Sequence, residues 1–131
     1  MGAIDAFEWY LDFDNDGFGD PDNLQRSCNR PGGYVSNDGD CDDQSTSVNP
    51  SVIETCNNID DDCNGSIDDS SSDALVWYPD NDRDGFGDNN SPLDSCTQPN
   101  GYVTDNTDCD DSTNAANPQE TEVCDGIDND C

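Results

Sequence analysis

Of 131 residues, 32 are Asp or Glu and only three are basic, with no His, so the formal charge at neutral pH is −29. Hydrophobic residues make up 30%, cysteine included, too few for an ordinary core in one domain or two very small ones. That charge excludes nucleic acid as a partner, no apolar run reaches the length of a membrane span, and composition alone favours an acidic disordered tail.

Two features argue for a fold. Eight cysteines recur at regular spacing, as in a disulfide framework of an oxidising compartment. The acids alternate with Asn and Gly in turn-like patterns, whereas solvating tails carry them in blocks. MGAIDAFEWY has neither the basic start nor the apolar run of a signal peptide, so a secreted protein is read here as a mature or excerpted segment.

In chain order, Glu8–Leu11 reads as a short strand. It runs into DFDNDGFGD, which follows the helix–loop–helix calcium pattern: Asp12, Asp14 and Asp16 at places one, three and five, Gly17 at six, the Phe18 carbonyl at seven and Asp20 at nine. The pattern then stops. Asn23 holds the twelfth place, where a bidentate Glu belongs, and Trp9-Tyr10-Leu11 and Pro21 flank the loop in place of helices. The Phe18 ring is left free to cluster with Trp9.

Gly33–Val35 reads as a second strand. Asp40-Cys41-Asp42-Asp43 comes next, and its Cys is expected to pin it against the first loop, so that Asp40, Asp42 and Asp43 replace the absent Glu. The alternative is an acidic turn around a disulfide. Asn49-Pro50 has the N-cap and first-turn Pro of a helix, expected to run to about Cys56 and to carry Glu54 as a further carboxylate ligand or a bystander. A third loop then has Asp60, Asp62 and Asn64 at places one, three and five, Gly65 at six, Ser66 at seven, the apolar Ile67 at eight and Asp68 at nine. DDSSSD, residues 68–73, reads as a polar linker.

The chain then repeats itself at an offset of 68 residues. Between 9–63 and 77–131, 27 of 55 positions are identical, mostly Asp, Cys, Gly, Pro and aromatics. A fold held by packing would keep its apolar residues; this one keeps its acids and sulfurs. The division expected is residues 1–67, a linker at 68–75, and 76–131. The second copy supplies a strand at Leu75–Tyr78, then Asp80, Asp82, Asp84, Gly85, Phe86 and Asp88, with Trp77 beside the Phe86 ring. A strand at Gly101–Val103 and the acids Asp108, Asp110 and Asp111 come next, then a helix from Asn117-Pro118 to Cys124 bearing Glu122. Its third loop has Asp128 and Asp130 and then ends at Cys131, while Gly2-Ala3-Ile4-Asp5 parallels Gly65-Ser66-Ile67-Asp68. Either the segment belongs to a longer tandem array, or Asp5 and the Ala3 carbonyl of one subunit complete the site of the next in a head-to-tail filament.

Zinc is disfavoured for the cysteines, since no CxxC and no His occur. Four cysteines per copy allow three connectivities; the local set Cys28–Cys41, Cys56–Cys63, Cys96–Cys109 and Cys124–Cys131 is expected. Asn89-Asn90-Ser91 is a glycosylation sequon, as is Asn64-Gly65-Ser66. Asn89 is the expected acceptor because Asn64 is a candidate ligand.

WY-x-D-x-D-x-DGFGD, C-x₂-P-x-GYV, DCDD and NP-x₃-E-x-C-x₂-IDxDC resemble the metal-binding motif of MopE-type surface proteins, and the aspartate repeats of thrombospondins are similar in style. The resemblance covers nearly the whole chain and implies metal binding at a cell surface or outside the cell. Copper is associated with MopE itself, but a chain with no His and one Met offers hard carboxylates, which suit Ca²⁺. The expected fold is a small, irregular, disulfide-rich and calcium-stabilised tandem repeat, mostly loop, with short strands and one short helix per copy. The expected role is an extracellular calcium-binding structural module of a stalk, coat or fibre. A calcium-scaffolded adhesin, with Tyr34 and Tyr102 as contacts, is the alternative. Enzyme activity is not expected, because no nucleophile sits beside a base.

Overall fold

The computed structural model describes residues 5–131. Six short strands interrupt the loops: β1 (Phe7–Leu11), β2 (Asp20–Ser27), β3 (Tyr34–Val35), β4 (Leu75–Pro79), β5 (Leu93–Ser95) and β6 (Tyr102–Val103). They form two antiparallel three-stranded arrangements, ordered β2-β1-β3 and β5-β4-β6. The chain divides into two compact units between Ser72 and Asp73.

β1 and β2 form a hairpin whose connection is the first acidic loop. Pairing runs from Phe7↔Ser27 to Tyr10↔Leu24 and then slips, setting Leu11 opposite Asp20. The slip leaves Asp12 to Gly19 outside the ladder as a closed loop. Trp9 and Trp77 each cross their sheet and donate the indole N–H to a strand-end carbonyl, Ser27 O at 3.1 Å and Ser95 O at 3.0 Å. Apolar burial is slight. Among the described residues the buried hydrophobic side chains are Val35 and Val48 in the first unit and Trp77 and Ala116 in the second, whereas Phe7, Phe13, Ile53 and Ile67 are each more than 60% exposed. Burial on that scale cannot offset the entropy of ordering so many loop residues.

Glycine makes one close approach possible in each unit. A Cβ on Gly19 would lie 2.5 Å from Tyr10 Cβ and 2.7 Å from the Asn37 carbonyl. At Gly87 it would strike Tyr78 Cβ and the Asp105 carbonyl. The acidic loop can therefore lie flat on its own sheet only with glycine there.

Three expectations are corrected. No helix extends from Asn49 or Asn117 among the described residues. Each Asn closes a single turn: Val52 N donates to Asn49 O at 3.0 Å and Glu120 N to Asn117 O at 3.0 Å. Propagation stops because the Glu54 carboxylate is drawn inward to two backbone N–H groups, and because Val52, Ile53 and Thr55 are β-branched.

The local disulfide set is also wrong. Cys41 bonds Cys63 and Cys109 bonds Cys131, Cys56 and Cys96 are disulfide-bonded, and Cys28 and Cys124 are free and exposed. The folded loops set Cys41 beside the third loop, its Sγ 3.7 Å from Asp60 O, so partners 22 residues apart displace nearer ones.

β2 and β5 were not expected, since DPDNLQRS carries Pro and Asp at an exposed edge, where such residues are tolerated. Trp9 meets Phe7 rather than Phe18, edge-on at 6.4 Å; the Phe18 ring lies toward Gly39. The stretch 68–73, expected as a linker, is partly packed: Ser71 is buried and Ser72 N donates to Glu54 O at 2.9 Å.

Candidate metal centre

The first acidic loop is built from Asx turns, in which an Asp carboxylate accepts the N–H two residues on. Asp14 accepts from Asp16 N at 3.1 Å and Asp16 from Phe18 N at 2.8 Å. In the second unit Asp82 accepts from Asp84 N at 3.1 Å and Asp84 from Phe86 N at 2.9 Å. Asn15 and Arg83, at place four, and Gly17 and Gly85, at place six, take positive φ, which closes the ring around its own carboxylates.

The DCDD segments dock onto these loops. Asp40 N donates to Gly19 O and Asp108 N to Gly87 O, both at 3.2 Å. Asp43 accepts the Phe13 N–H at 2.7 Å and Asp111 the Asn81 N–H at 2.6 Å. Asn37, missed in the sequence, ties the first loop further by accepting from Gly19 N at 3.2 Å and donating to Gly17 O at 2.8 Å. A lone Asn after a strand carries no signal that would have found it.

The outcome is a convergence of carboxylates. Asp12, Asp14 and Asp16 can each present an oxygen within 4.8 Å of the others, and so can Asp14, Asp40 and Asp43; the second unit gathers Asp80, Asp82 and Asp111. In Asp14, Asp16, Asp40, Asp82, Asp84 and Asp108 one oxygen is held by the N–H two residues on. The other oxygen, Oδ2, is buried without a hydrogen-bond partner, as is Asp12 Oδ1. The backbone fixes one oxygen of each acid and leaves its mate inside. Burial first, and then the neighbouring acids, push the Asp40, Asp43, Asp82 and Asp108 carboxyls above the ordinary Asp range. A cavity of about 550 Å³ is lined by Phe13, Asp20, Asp40 and Asp43 among others.

The third loop has the same backbone. Cys63 at place four and Gly65 at place six have positive φ. Asn64 N donates to Asp60 and Asp62, both at 3.1 Å, and Gly65 N to Asp60 at 2.9 Å. In the second acidic loop Asp84 N and Gly85 N donate to Asp80 and Asp82 in the same way, at 3.1 Å. Glu54, 2% exposed, joins Asp60 and Asp62 in one cluster. Its two oxygens accept Asp62 N at 2.9 Å and Asp68 N at 2.8 Å. Its neighbour Asp61 is structural: the Asn57 amide, with Thr55, holds that carboxyl below the ordinary range.

The other expected ligands make the following contacts. Asp42 and Asp110 are exposed and turn an oxygen to the next turn, accepting from Gln44 N and Ser112 N. Asp20 and Asp88 border their clusters, accepting from Asp22 N and Asn90 N. Phe18 and Phe86 are half-buried and Ser66 is exposed. Asp68 accepts from Asn57 N and Asn58 N. Glu122 accepts from Asn129 N at 2.8 Å, but it is exposed, like Asp128 and Asp130. Of the residues expected to complete a site across subunits, Asp5 is exposed and Ala3 lies outside the described residues, so nothing here supports self-association. Asn89 is exposed, while Asn64 donates to Asp62 and Asp69.

A cluster of Asp108, Cys109 and Cys131 also converges, but both sulfurs are spent in the disulfide and cannot act as thiolate ligands.

Residues 40–69 and 108–131 match the family model described as "Putative metal-binding motif", Cu-binding MopE. The match occurs once in each unit. Each match spans the DCDD segment and the Glu-bearing turn of its unit and leaves out the loops at 12–20 and 80–88. No curated protein and no solved structure matches the chain.

Proposed function

We propose that the chain is an extracellular calcium-binding structural module, a segment of a surface stalk, coat or fibre in which cations take the place of an apolar core. The observation that carries this reading is the set of seven buried, unpartnered carboxylate oxygens among the described residues, on Asp12, Asp14, Asp16, Asp40, Asp82, Asp84 and Asp108. An unsatisfied buried acceptor costs about 1–3 kcal/mol, and more when charged. Seven would cancel the roughly 5–15 kcal/mol by which domains are stable. Neither Arg26 nor Arg30 relieves them: Arg26 pairs with Glu8 at 2.8 Å and Arg30 donates to the Tyr34 carbonyl.

The donor set selects the ion. It is all carboxylate oxygen, which suits Ca²⁺, while copper would want imidazole or thioether and the chain has no His and a single Met. Disulfides support an oxidising, extracellular setting, and among the described residues no helix is long and apolar enough to cross a membrane. The acids serve as ligands, not as acid–base catalysts. Isothermal titration with Ca²⁺, Mg²⁺ and Cu²⁺ tests the assignment: calcium is expected to bind at about 10⁻⁴–10⁻³ M, the range of extracellular modules. Copper binding that excludes calcium would overturn it.

A further inference from the structure

Two of the carboxylate groups in the first unit are not separate. Asp12, Asp14 and Asp16 form one, Asp14, Asp40 and Asp43 the other, and Asp14 belongs to both. The first group comes from a single loop. The second joins that loop to the DCDD segment, which is docked by Asp40 N on Gly19 O at 3.2 Å and by Asp43 on Phe13 N at 2.7 Å. Unpartnered oxygens occur in both groups: Asp12 Oδ1 and Asp16 Oδ2 in the first, Asp40 Oδ2 in the second, and Oδ2 of the shared Asp14. Asp12 and Asp40 are more than nine-tenths buried.

Resting on the calcium reading above, we infer that the first unit holds a pair of divalent cations bridged by Asp14, one in the Asp12–Asp16 loop and one between Asp14, Asp40 and Asp43. Charge agrees with two ions. Five carboxylates face the nest, so one divalent ion leaves a net −3 in a buried site and two leave −1. Carboxylate-bridged pairs lie about 3.5–4 Å apart in two-metal sites, and a single Asp spans that distance with its two oxygens. The pair also gives the DCDD segment its role: the second ion ties two loops together, where the first closes only one.

Native mass spectrometry of the full chain at graded calcium counts the ions. Asp14→Asn is expected to bind two fewer ions than wild type, and Asp16→Asn and Asp43→Asn one fewer each. Equal losses in all three variants would overturn the pairing and leave the calcium reading intact. No uptake by the wild-type chain would overturn both. A second measurement needs no variant: wild type loaded with mixed terbium and europium is expected to show a terbium emission component shortened several-fold by transfer to a neighbouring europium. An unshortened decay would count against the pair even where Asp14→Asn fails to fold.

Discussion

Removing calcium is the perturbation that separates a cation-built fold from a packed one. The structure gathers carboxylate clusters at Asp12/Asp14/Asp16, Asp14/Asp40/Asp43, Glu54/Asp60/Asp62 and Asp80/Asp82/Asp111. At 10 mM calcium and dissociation constants of about 10⁻⁴–10⁻³ M, each occupied site stabilises the folded state by about 1.4–2.7 kcal/mol through mass action. The three in the first unit together contribute roughly 4–8 kcal/mol, comparable with the whole stability of a small domain. Chelation is therefore expected to lower the melting temperature steeply, not by a few degrees. The assay is Trp9 and Trp77 fluorescence together with calorimetry, in 10 mM calcium and in excess EDTA. Each 1 kcal/mol moves Tm by about 4–8 °C in a domain of this size, so the expected difference for the first unit exceeds about 15 °C. A Tm that moves by only two or three degrees would show that strands and disulfides suffice, and the argument from unpartnered oxygens would fail.

The remaining predictions are local. Glu54→Gln replaces a carboxylate that accepts two N–H groups with an amide that can accept only through its single oxygen; urea unfolding is expected to show a loss of about 1.5–3 kcal/mol. Gly19→Ala drives a Cβ into Tyr10 and the Asn37 carbonyl, whereas Gly32→Ala meets nothing within 4 Å. The first is expected to cost about 1–3 kcal/mol and the second to leave the melting temperature unchanged. Free thiols are expected to number two, Cys28 and Cys124, by Ellman titration of the native protein. A count of zero would mean that both of these cysteines are paired. Stability should also respond to pH with opposite sign in the two metal states. In EDTA, the folded-state pKa values of Asp40, Asp43, Asp82 and Asp108 lie above their ordinary values. Their contribution is then greatest when they are protonated and is lost as pH rises through the raised values. With calcium bound, the ionised form is held, so stability is lost as pH falls. Thermal melts across about pH 4–6 check the reversal.

The backbone of the acidic loops was legible in the sequence because acids spaced around a Gly turn obey a local rule. Asp at places one, three and five with Gly at six fixes the turn whatever surrounds it, and the loops at 12, 60 and 80 took one backbone form. The docking of DCDD was suggested by the missing Glu at Asn23, a deficit that local pattern alone exposes. The illegible part was long-range. The Cys41–Cys63 and Cys109–Cys131 bonds depend on where a third loop folds back, and four cysteines per copy carry no record of that. The helices failed for a related reason. Asn49-Pro50 starts one turn as its local signal says, but the path of the chain beyond that turn is decided by Glu54 reaching Asp62 N and Asp68 N, a tertiary demand that no propensity encodes.

These successes and failures have one physical origin. In an ordinary domain, burial of apolar area sets which segments meet, and its periodicity can be read along the chain. Here the buried groups are carboxylates, and on the calcium reading proposed above what brings them together is a charge that the chain itself does not carry. Asp42 and Asp43 illustrate the difference. They are adjacent, identical in type and equal in any composition profile, yet Asp43 accepts the Phe13 N–H and faces the cluster while Asp42 is exposed. Only the backbone hydrogen bond that aims Asp43 distinguishes them. Exchanging Asp42 for Asn should accordingly leave calcium affinity within about twofold, while Asp43→Asn should weaken it at least tenfold, or about 1.4 kcal/mol. Titration calorimetry of the two variants side by side measures this, and equal losses would mean that the acids act by net charge and not by position.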